Sequence, residues 1–514
     1  MKEKFLSFIK SKTFHIFLAF LGLCFVAYVG FLNQNYVSDN IGGRVISYDQ
    51  MSIGEFFNHP IIAGQGRHMS ITYWLIHAPL SKLGITYFQN QWVYFAIEMF
   101  VMAIALTIIY NVFAKILKTK KFSIALFLAI SFIGVNPFMC DALIFLLPSH
   151  PQAILFIGLA LLFLAKEFRF KNIALAFLFT TLAISTYQNY YALFLILALP
   201  LILIINKGKI DKQLFKRVAV VLAIAALSIG AVLLVSKIHC AILGEYNANG
   251  TTIHLSLSWL LERAKFILKL YKDALFTSFY LFPPALLLII PIATVITLGI
   301  ALIRKHKIKE FIFILAMTAF VFFSPVYYGM IADIYYTAPR ILPALFAVLS
   351  ICAILLIYYF PKLKDNHLFI AAAITIAAII VYCCNTFIID MHIDNRIQMA
   401  ELRLIINRLE KYEKENDTTI KTIVVRHGNG RRVFYKNNIH LYAAENASRD
   451  ITGTEWSDVS TIQTLTGRTF TKEDLTPEDA IKYFNDFDYE NDFAIFDPDV
   501  RLKFDGDKMY WMDY

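Results

Sequence analysis

The stretch 36-YVSDNIGGRVISYDQMSIGEFFNHPIIAGQGRHMS-70 decides how the chain is read. It lies between two long apolar segments, yet gathers Asp39, Arg44, Asp49, Glu55, His59, Arg67 and His68 within about thirty residues. The rest of the first half is almost continuous hydrocarbon, so chemistry is expected in this stretch.

Composition supports a membrane setting. Hydrophobic residues make up 58% of 514, with 46 Phe and a mean hydropathy of +0.58, more apolar surface than one soluble core buries. The net charge of +10 comes from Lys and Arg in short clusters between apolar runs rather than along one face. That arrangement speaks for membrane topology and against a nucleic-acid partner.

On the N-terminal side of the opening stretch, MKEKFLSFIKSK carries four lysines ahead of the apolar run Thr13–Leu32. The positive-inside rule then keeps the N-terminus cytoplasmic and puts the first loop outside. The run is too long for a cleaved signal peptide and lacks a small-x-small cleavage site. On the C-terminal side, Gln91–Phe113 forms the second span, followed by Lys115, Lys118, Lys120 and Lys121, so residues 33–90 are exterior. Within them Met69–Leu83, interrupted by Pro79, is too short to cross and reads as an interfacial helix.

Further spans are expected at Phe122–Phe138, Gln152–Ala165, Asn172–Ile184, Tyr190–Ile205, Val218–Val235, Leu281–Ile303, Phe311–Phe323, Ile341–Phe360 and Leu368–Ile389. Together these make eleven and leave the C-terminus outside. The inner loops then hold about 20 Lys and Arg against about 10 in the outer loops of the membrane region. Three more outer loops carry polar residues. Pro137–Pro151 holds Asp141 and His150. Ser236–Tyr280 holds Lys237 and Glu245, and its tail LSLSWLLERAKFILKLYKDALF sets Arg263, Lys265, Lys269 and Lys272 among apolar residues at helical spacing. That helix either rests on anionic headgroups or binds a substrate phosphate. Ser324–Arg340 holds Tyr327, Tyr328, Tyr335 and Tyr336, which an aromatic belt explains, and Asp333 and Arg340, which it does not.

From Met391 to Tyr514 the chain is polar. A helix is expected near Asp394–Glu415, then strands in KTIVVR and NIHLYAA, a helix capped by Thr476 in TPEDAIKYFNDF, and a strand in DFAIFD. The domains expected are therefore 1–390 in the membrane and 391–514 as a small exterior α/β unit. Cys140 and Cys240, nearest the outer face, read as two thiols rather than a pair. No zinc spacing, calcium loop or phosphate loop occurs, so no metal and no nucleotide site is expected.

An exterior glycosyl transfer cannot draw on cytoplasmic nucleotide sugars, and a sugar on a membrane polyprenyl phosphate is the alternative donor. Such a site needs a carboxylate to take the acceptor's proton and cations to hold the leaving phosphate. Asp39 with Arg44 and Arg67 supplies both, although Asp39 could also cap a juxtamembrane helix and the arginines pair with headgroups.

Several short motifs, in this order, resemble the bacterial glucosyl transferase II family of serotype-converting enzymes. They are Asp39-Asn40, Arg44 and Gly66-Arg67, then NPFMCDALIF at Asn136–Phe145 and STYQNYY at Ser185–Tyr191 with its Tyr187-Gln188 pair. The likeness covers about the first 350 residues. Two departures stand out: Asn40 replaces the family's second acid, and Arg44 comes one residue late.

The resemblance implies a polytopic α-helical membrane glycosyltransferase of the GT-C class in the bacterial plasma membrane, with its C-terminal domain periplasmic. It would transfer a hexose such as glucose, with inversion, from a polyprenyl-phosphate donor to a cell-surface polysaccharide or glycolipid. Asp39 and Asp141 are the expected catalytic carboxylates, Asp39 acting as the base alone or sharing that role with Asp49, Glu55 or Asp141. Asn40, Arg44, Asp49, Glu55, Arg67, His68, Tyr187, Gln188 and Arg340 are the expected substrate-binding set. A synthase for the lipid-linked sugar and a flippase are the implied partners, alongside membrane lipids. A flippase or transporter of lipid-linked sugars would place ionisable groups at the bilayer midplane. A non-catalytic assembly protein would leave the acid and arginine cluster unexplained.

Overall fold

The computed structural model describes residues 11–32, 51–85, 87–144, 149–244, 256–277, 281–331, 339–426, 458–487 and 496–513. The main helices are α1 (Lys12–Tyr28), α2 (Ile53–Phe57), α3 (Pro60–Gly64), α4 (Ile71–Lys82), α5 (Tyr87–Ile116), α6 (Ile124–Gly134), α7 (Pro137–Ile144), α8 (His150–Leu164), α9 (Phe170–Thr186), α10 (Tyr190–Ile205) and α11 (Lys212–Leu243). They continue with α12 (Leu257–Lys272), α13 (Pro284–Arg304), α14 (Ile308–Phe323), α15 (Tyr327–Ile331), α16 (Ala344–Tyr359) and α17 (His367–Asn416). Six of them, with any adjoining short turns, are long and apolar enough to cross a membrane, or seven if the bent pair α6 and α7 counts as one. Helices α8, α9, α10 and α16 are apolar but shorter. The chain is therefore an α-helical membrane protein, with a helix at each of the eleven places where an apolar run occurs. In α10 nearly every residue is buried, so it is apolar all round because it meets protein on every side.

The connections sort into two ends. At one, the Lys12 ammonium donates to the carbonyls of Thr119 (3.5 Å) and Lys120 (3.2 Å), tying the start of α1 to the end of α5. Arg217 lies over the Phe168 ring, 5.2 Å from its centroid. Glu310 accepts from the Tyr359 hydroxyl at 2.6 Å and pairs with Lys307 at 3.2 Å. At the opposite end, Tyr271 donates to the Phe322 carbonyl at 2.6 Å and the Ser236 hydroxyl donates to Ala63 at 2.6 Å.

One expected span is broken. Residues 122–138 do not form a straight helix, because α6 stops at Gly134 and α7 departs at 41°. Inside a bundle the freed backbone groups need partners. Tyr28 donates to the Gly134 carbonyl at 2.7 Å and accepts from the Asn136 N–H at 3.1 Å. The Asn136 side chain donates back to Phe132 (3.1 Å) and accepts from the Met139 N–H (2.8 Å), closing one helix and opening the next. All of α7 is buried, so the expected outer loop Pro137–Pro151 begins instead as a helix inside the protein. Similarly, α11 runs on to Leu243, which places Lys237 on a helix rather than in a loop. Helix α12 forms where the basic amphipathic tail predicts it, burying Ile267, Leu270 and Tyr271.

No proline or glycine interrupts 367–416, and the expected span and the expected soluble helix are one helix crossing the 390/391 boundary. Its last turns carry Leu402, Ile405 and Leu409 onto a four-stranded sheet. The strands are β1 (Thr422–Arg426), β2 (Thr471–Asp474), β3 (Leu502–Asp505) and β4 (Lys508–Met512), in the order β2-β1-β4-β3. β1 is parallel to both neighbours, and β3 is antiparallel to β4. A central parallel strand must be covered on both faces. Ile423 and Val425 meet α17, while Val424 packs with Phe484 of a helix, Pro477–Phe484, that Thr476 caps. Asp497 caps the short helix Pro498–Arg501, its side chain accepting from the Asp499 N–H. The expected strand NIHLYAA and most of DFAIFD lie outside the described residues.

Candidate functional site

Asp39, Asn40, Arg44 and Asp49 lie outside the described residues, as do Asp333, Tyr335 and Tyr336. The other expected residues fall into three places, one of which is a cleft.

Glu55 is exposed and occupied locally. Its carboxylate accepts from the Ser52 N–H at 2.7 Å while Ser52 accepts from the Glu55 N–H, a capping box that starts α2. Those backbone bonds hold its carboxyl below the ordinary range.

His68 sits at a second place. Its Nε2 is 3.2 Å from His239 Nδ1, and His239 Nε2 is 3.1 Å from the Asn58 amide oxygen, with Phe57 stacked on the His239 ring. Burial, then the neighbouring His239, push the His68 imidazole down to about 4. This cluster fastens the loop helices α2 and α3 to α11.

Between them Gly66 turns the chain. It ends α3 in a Schellman motif, with Arg67 N–H donating to Ile62 (3.0 Å) and Gly66 N–H to Ala63 (3.4 Å). Its φ of +65° suits glycine, and a Cβ there would meet Val232 Cγ1 at 2.9 Å. Gln188 donates from its side chain to the Gln65 carbonyl, so the Gly66-Arg67 turn docks on the Tyr187-Gln188 turn between α9 and α10. Arg67 thereby lies over the Tyr187 ring, 5.3 Å from its centroid.

The third place is the cleft itself, a narrow opening between the starts of α8 and α10 and the segment around Arg340. Its polar lining is His150, Tyr187, Asn189, Tyr190 and Arg340, against an apolar wall that includes Ile133, Leu193 and Pro343. Asp141, 1% exposed on α7, accepts from the Arg340 backbone N–H at 3.0 Å and stands 3.9 Å from its guanidinium. Asn189 donates to the Ile341 carbonyl at 3.2 Å, pinning the same segment from the α10 side. His150 Nδ1 is 2.9 Å from the Tyr190 hydroxyl, and Arg67, Arg340 and Asp141 all act electrostatically on its ring. Behind it Ser149 donates to the Glu98 carboxylate at 2.9 Å.

The structure thus brings Arg67, Tyr187, Arg340 and Asp141 to one region, and leaves Glu55 and His68 elsewhere. Asp141 is sealed and engaged with Arg340, which suits a residue that orients a cation. His150, named only as a polar residue of its loop, and Asn189 and Tyr190, inside the STYQNYY motif, join the site although none belonged to the expected binding set. The available signal was a histidine and a tyrosine, forty positions apart, each opening an apolar helix. Cys140 and Cys240 are not joined; the Cys140 thiol faces the Cys384 carbonyl at 3.9 Å. Among the described residues, no group of three or more His, Cys, Asp or Glu side chains could hold a metal. No protein-family model matches the chain, and neither does any curated protein or solved structure.

Proposed function

We propose that the chain is a membrane glycosyltransferase that moves a hexose from a polyprenyl-phosphate carrier to a surface polysaccharide or glycolipid. In this reading eleven helices cross the membrane, the lysine-rich end faces the cytoplasm, and the cleft and the C-terminal unit face outward. The observation that carries it is the approach of two arginines, each fixed by its own backbone turn, to one aromatic cleft at the end of the bundle opposite the lysine clusters: Arg340 lines the cleft and Arg67 lies over its Tyr187 ring.

The acceptor hydroxyl attacks the sugar's anomeric carbon, its proton passes to a carboxylate, and the bond to the phosphate oxygen breaks. Charge grows on the leaving phosphate, where fixed guanidinium groups stabilise it most. Asp39 is the proposed base and Asp141 positions Arg340. Arg44 would join Arg67 on the leaving phosphate, and Asn40 and Asp49 would complete the substrate-binding set. A synthase and a flippase would deliver the donor.

Release of polyprenyl phosphate by purified protein, given donor and acceptor, tests the reading. A transporter moves the intact donor without cleaving it, and an assembly protein does neither. Asp39→Asn should lose about a hundredfold or more of the transfer rate while Glu55→Gln keeps it. Near-normal transfer by Asp39→Asn would remove Asp39 as the base.

A further inference from the structure

We infer that His150 is a third donor to the anion held in the cleft, with its Nε2–H set in place by Tyr190. The inference rests on the reading of the cleft as a phosphate site and names how that phosphate is recognised.

The Tyr190 hydroxyl belongs to a residue that is only 6% exposed. A buried hydroxyl hydrogen must find an acceptor. Among the described residues the acceptor within reach is His150 Nδ1, at 2.9 Å. A ring nitrogen that accepts carries no hydrogen, so in the neutral ring the hydrogen is on Nε2. His150 is 3% exposed and lines the cleft, as do Arg340 and the Tyr187 ring beneath Arg67.

The surrounding backbone has the same polarity. His150 opens α8 and Tyr190 opens α10, helices of 15 and 16 residues. Two positive helix ends therefore meet at the cleft that Arg340 lines and that Arg67 borders across the Tyr187 ring. The nearby carboxylates are committed: Asp141 to Arg340, and Glu98 to Ser149. A phosphoryl group, with several acceptor oxygens and no hydrogens to offer, matches this set of donors.

Glutamine and asparagine separate the two ring nitrogens. The amide nitrogen of Gln reaches about as far as Nε2, whereas that of Asn reaches only as far as Nδ1. Binding of a polyprenyl monophosphate to the full chain in detergent is measured for the parent, His150→Gln, His150→Asn and Tyr190→Phe. The matching polyprenol, which has no phosphate, is the control.

His150→Gln should bind within about threefold of the parent and His150→Asn about tenfold more weakly, with polyprenol unaffected by either. Tyr190→Phe removes one oxygen and leaves the tautomer unset, so it should lose about threefold to tenfold and carries the test even if the Asn variant does not fold. Equal loss in the Gln and Asn variants, or parent-like binding by Tyr190→Phe, would overturn the inference. Sugar transfer is scored separately. Phosphate binding with the Gln/Asn contrast but no transfer sinks the enzymatic reading alone, and transfer without the contrast sinks this one alone.

Discussion

Asp141 and Arg340 are joined twice, by a backbone hydrogen bond and by charge, and substitution can separate the two. Asp141→Asn keeps an oxygen for the Arg340 N–H and removes the charge, while Asp141→Ala removes both. At 3.9 Å and an effective dielectric of about 20, Coulomb's law gives about 4 kcal/mol for the ion pair. No N–H···O bond forms at that distance, and the Arg340 side chain is 16% exposed to the cleft, so about 2 kcal/mol is the expected coupling. The hydrogen bond to a carboxylate adds about 1.5 kcal/mol. A cycle of Asp141→Asn, Arg340→Gln and the double variant, read by unfolding in mixed detergent, isolates the charge term. Asp141→Ala should then be less stable than Asp141→Asn by about 1.5 kcal/mol. In transfer assays Asp141→Asn should keep more activity than Asp141→Ala, because the Arg340 backbone stays anchored. A coupling within about 0.5 kcal/mol of zero, or an Ala variant no worse than the Asn variant, would refute the reasoning.

Gly66→Ala should destabilise the chain by about 1–2 kcal/mol, since it combines a left-handed backbone with a clash against Val232, and it should weaken phosphate binding by moving Arg67; parent-like unfolding and binding would count against the turn. For His68 the sign is set by a folded value near 4 below the ordinary 6.5: between these the unfolded chain binds a proton that the folded chain refuses. Stability of the His68–His239 contact should be flat above pH 6.5 and fall as pH drops toward 4, seen as faster hydrogen exchange over residues 57–68; His68→Gln should flatten the response. Single cysteines at Lys118 and Lys305 should resist an impermeant reagent in intact cells while one at Gln65 reacts, and labelling at Lys118 would reverse the proposed orientation.

How much was legible depends on what each feature is made of. Apolar runs and lysine clusters are local, and a helix stands wherever they mark one, from Lys12 to Tyr359. The break after Gly134 was not legible as a break, because its repair comes from Tyr28, 106 residues away. The Gly66-Arg67 and Tyr187-Gln188 motifs were visible as words, and what the sequence could not show is that they dock on each other through Gln65 and Gln188. His150 and Tyr190 were in view as residues, but their partnership depends on two helix starts meeting, and no spacing rule covers that. Glu55 drew notice for its charge, although the Ser52-x-x-Glu55 pattern already described a capping box.

Helix α17 has a mechanical consequence. Fifty residues rise about 75 Å, whereas the hydrocarbon core of a bilayer is about 30 Å thick. If one end of α17 is held in the bilayer, the remainder is a lever arm of about 45 Å with the β-sheet at its tip. About a third of the way along its length α17 touches α7 through the Cys384 carbonyl and Cys140, one residue from Asp141. A load on the sheet, such as a long polymer pulling sideways, would reach the Arg340 anchor as torque, and tension outside the membrane could thereby set the geometry of the cleft.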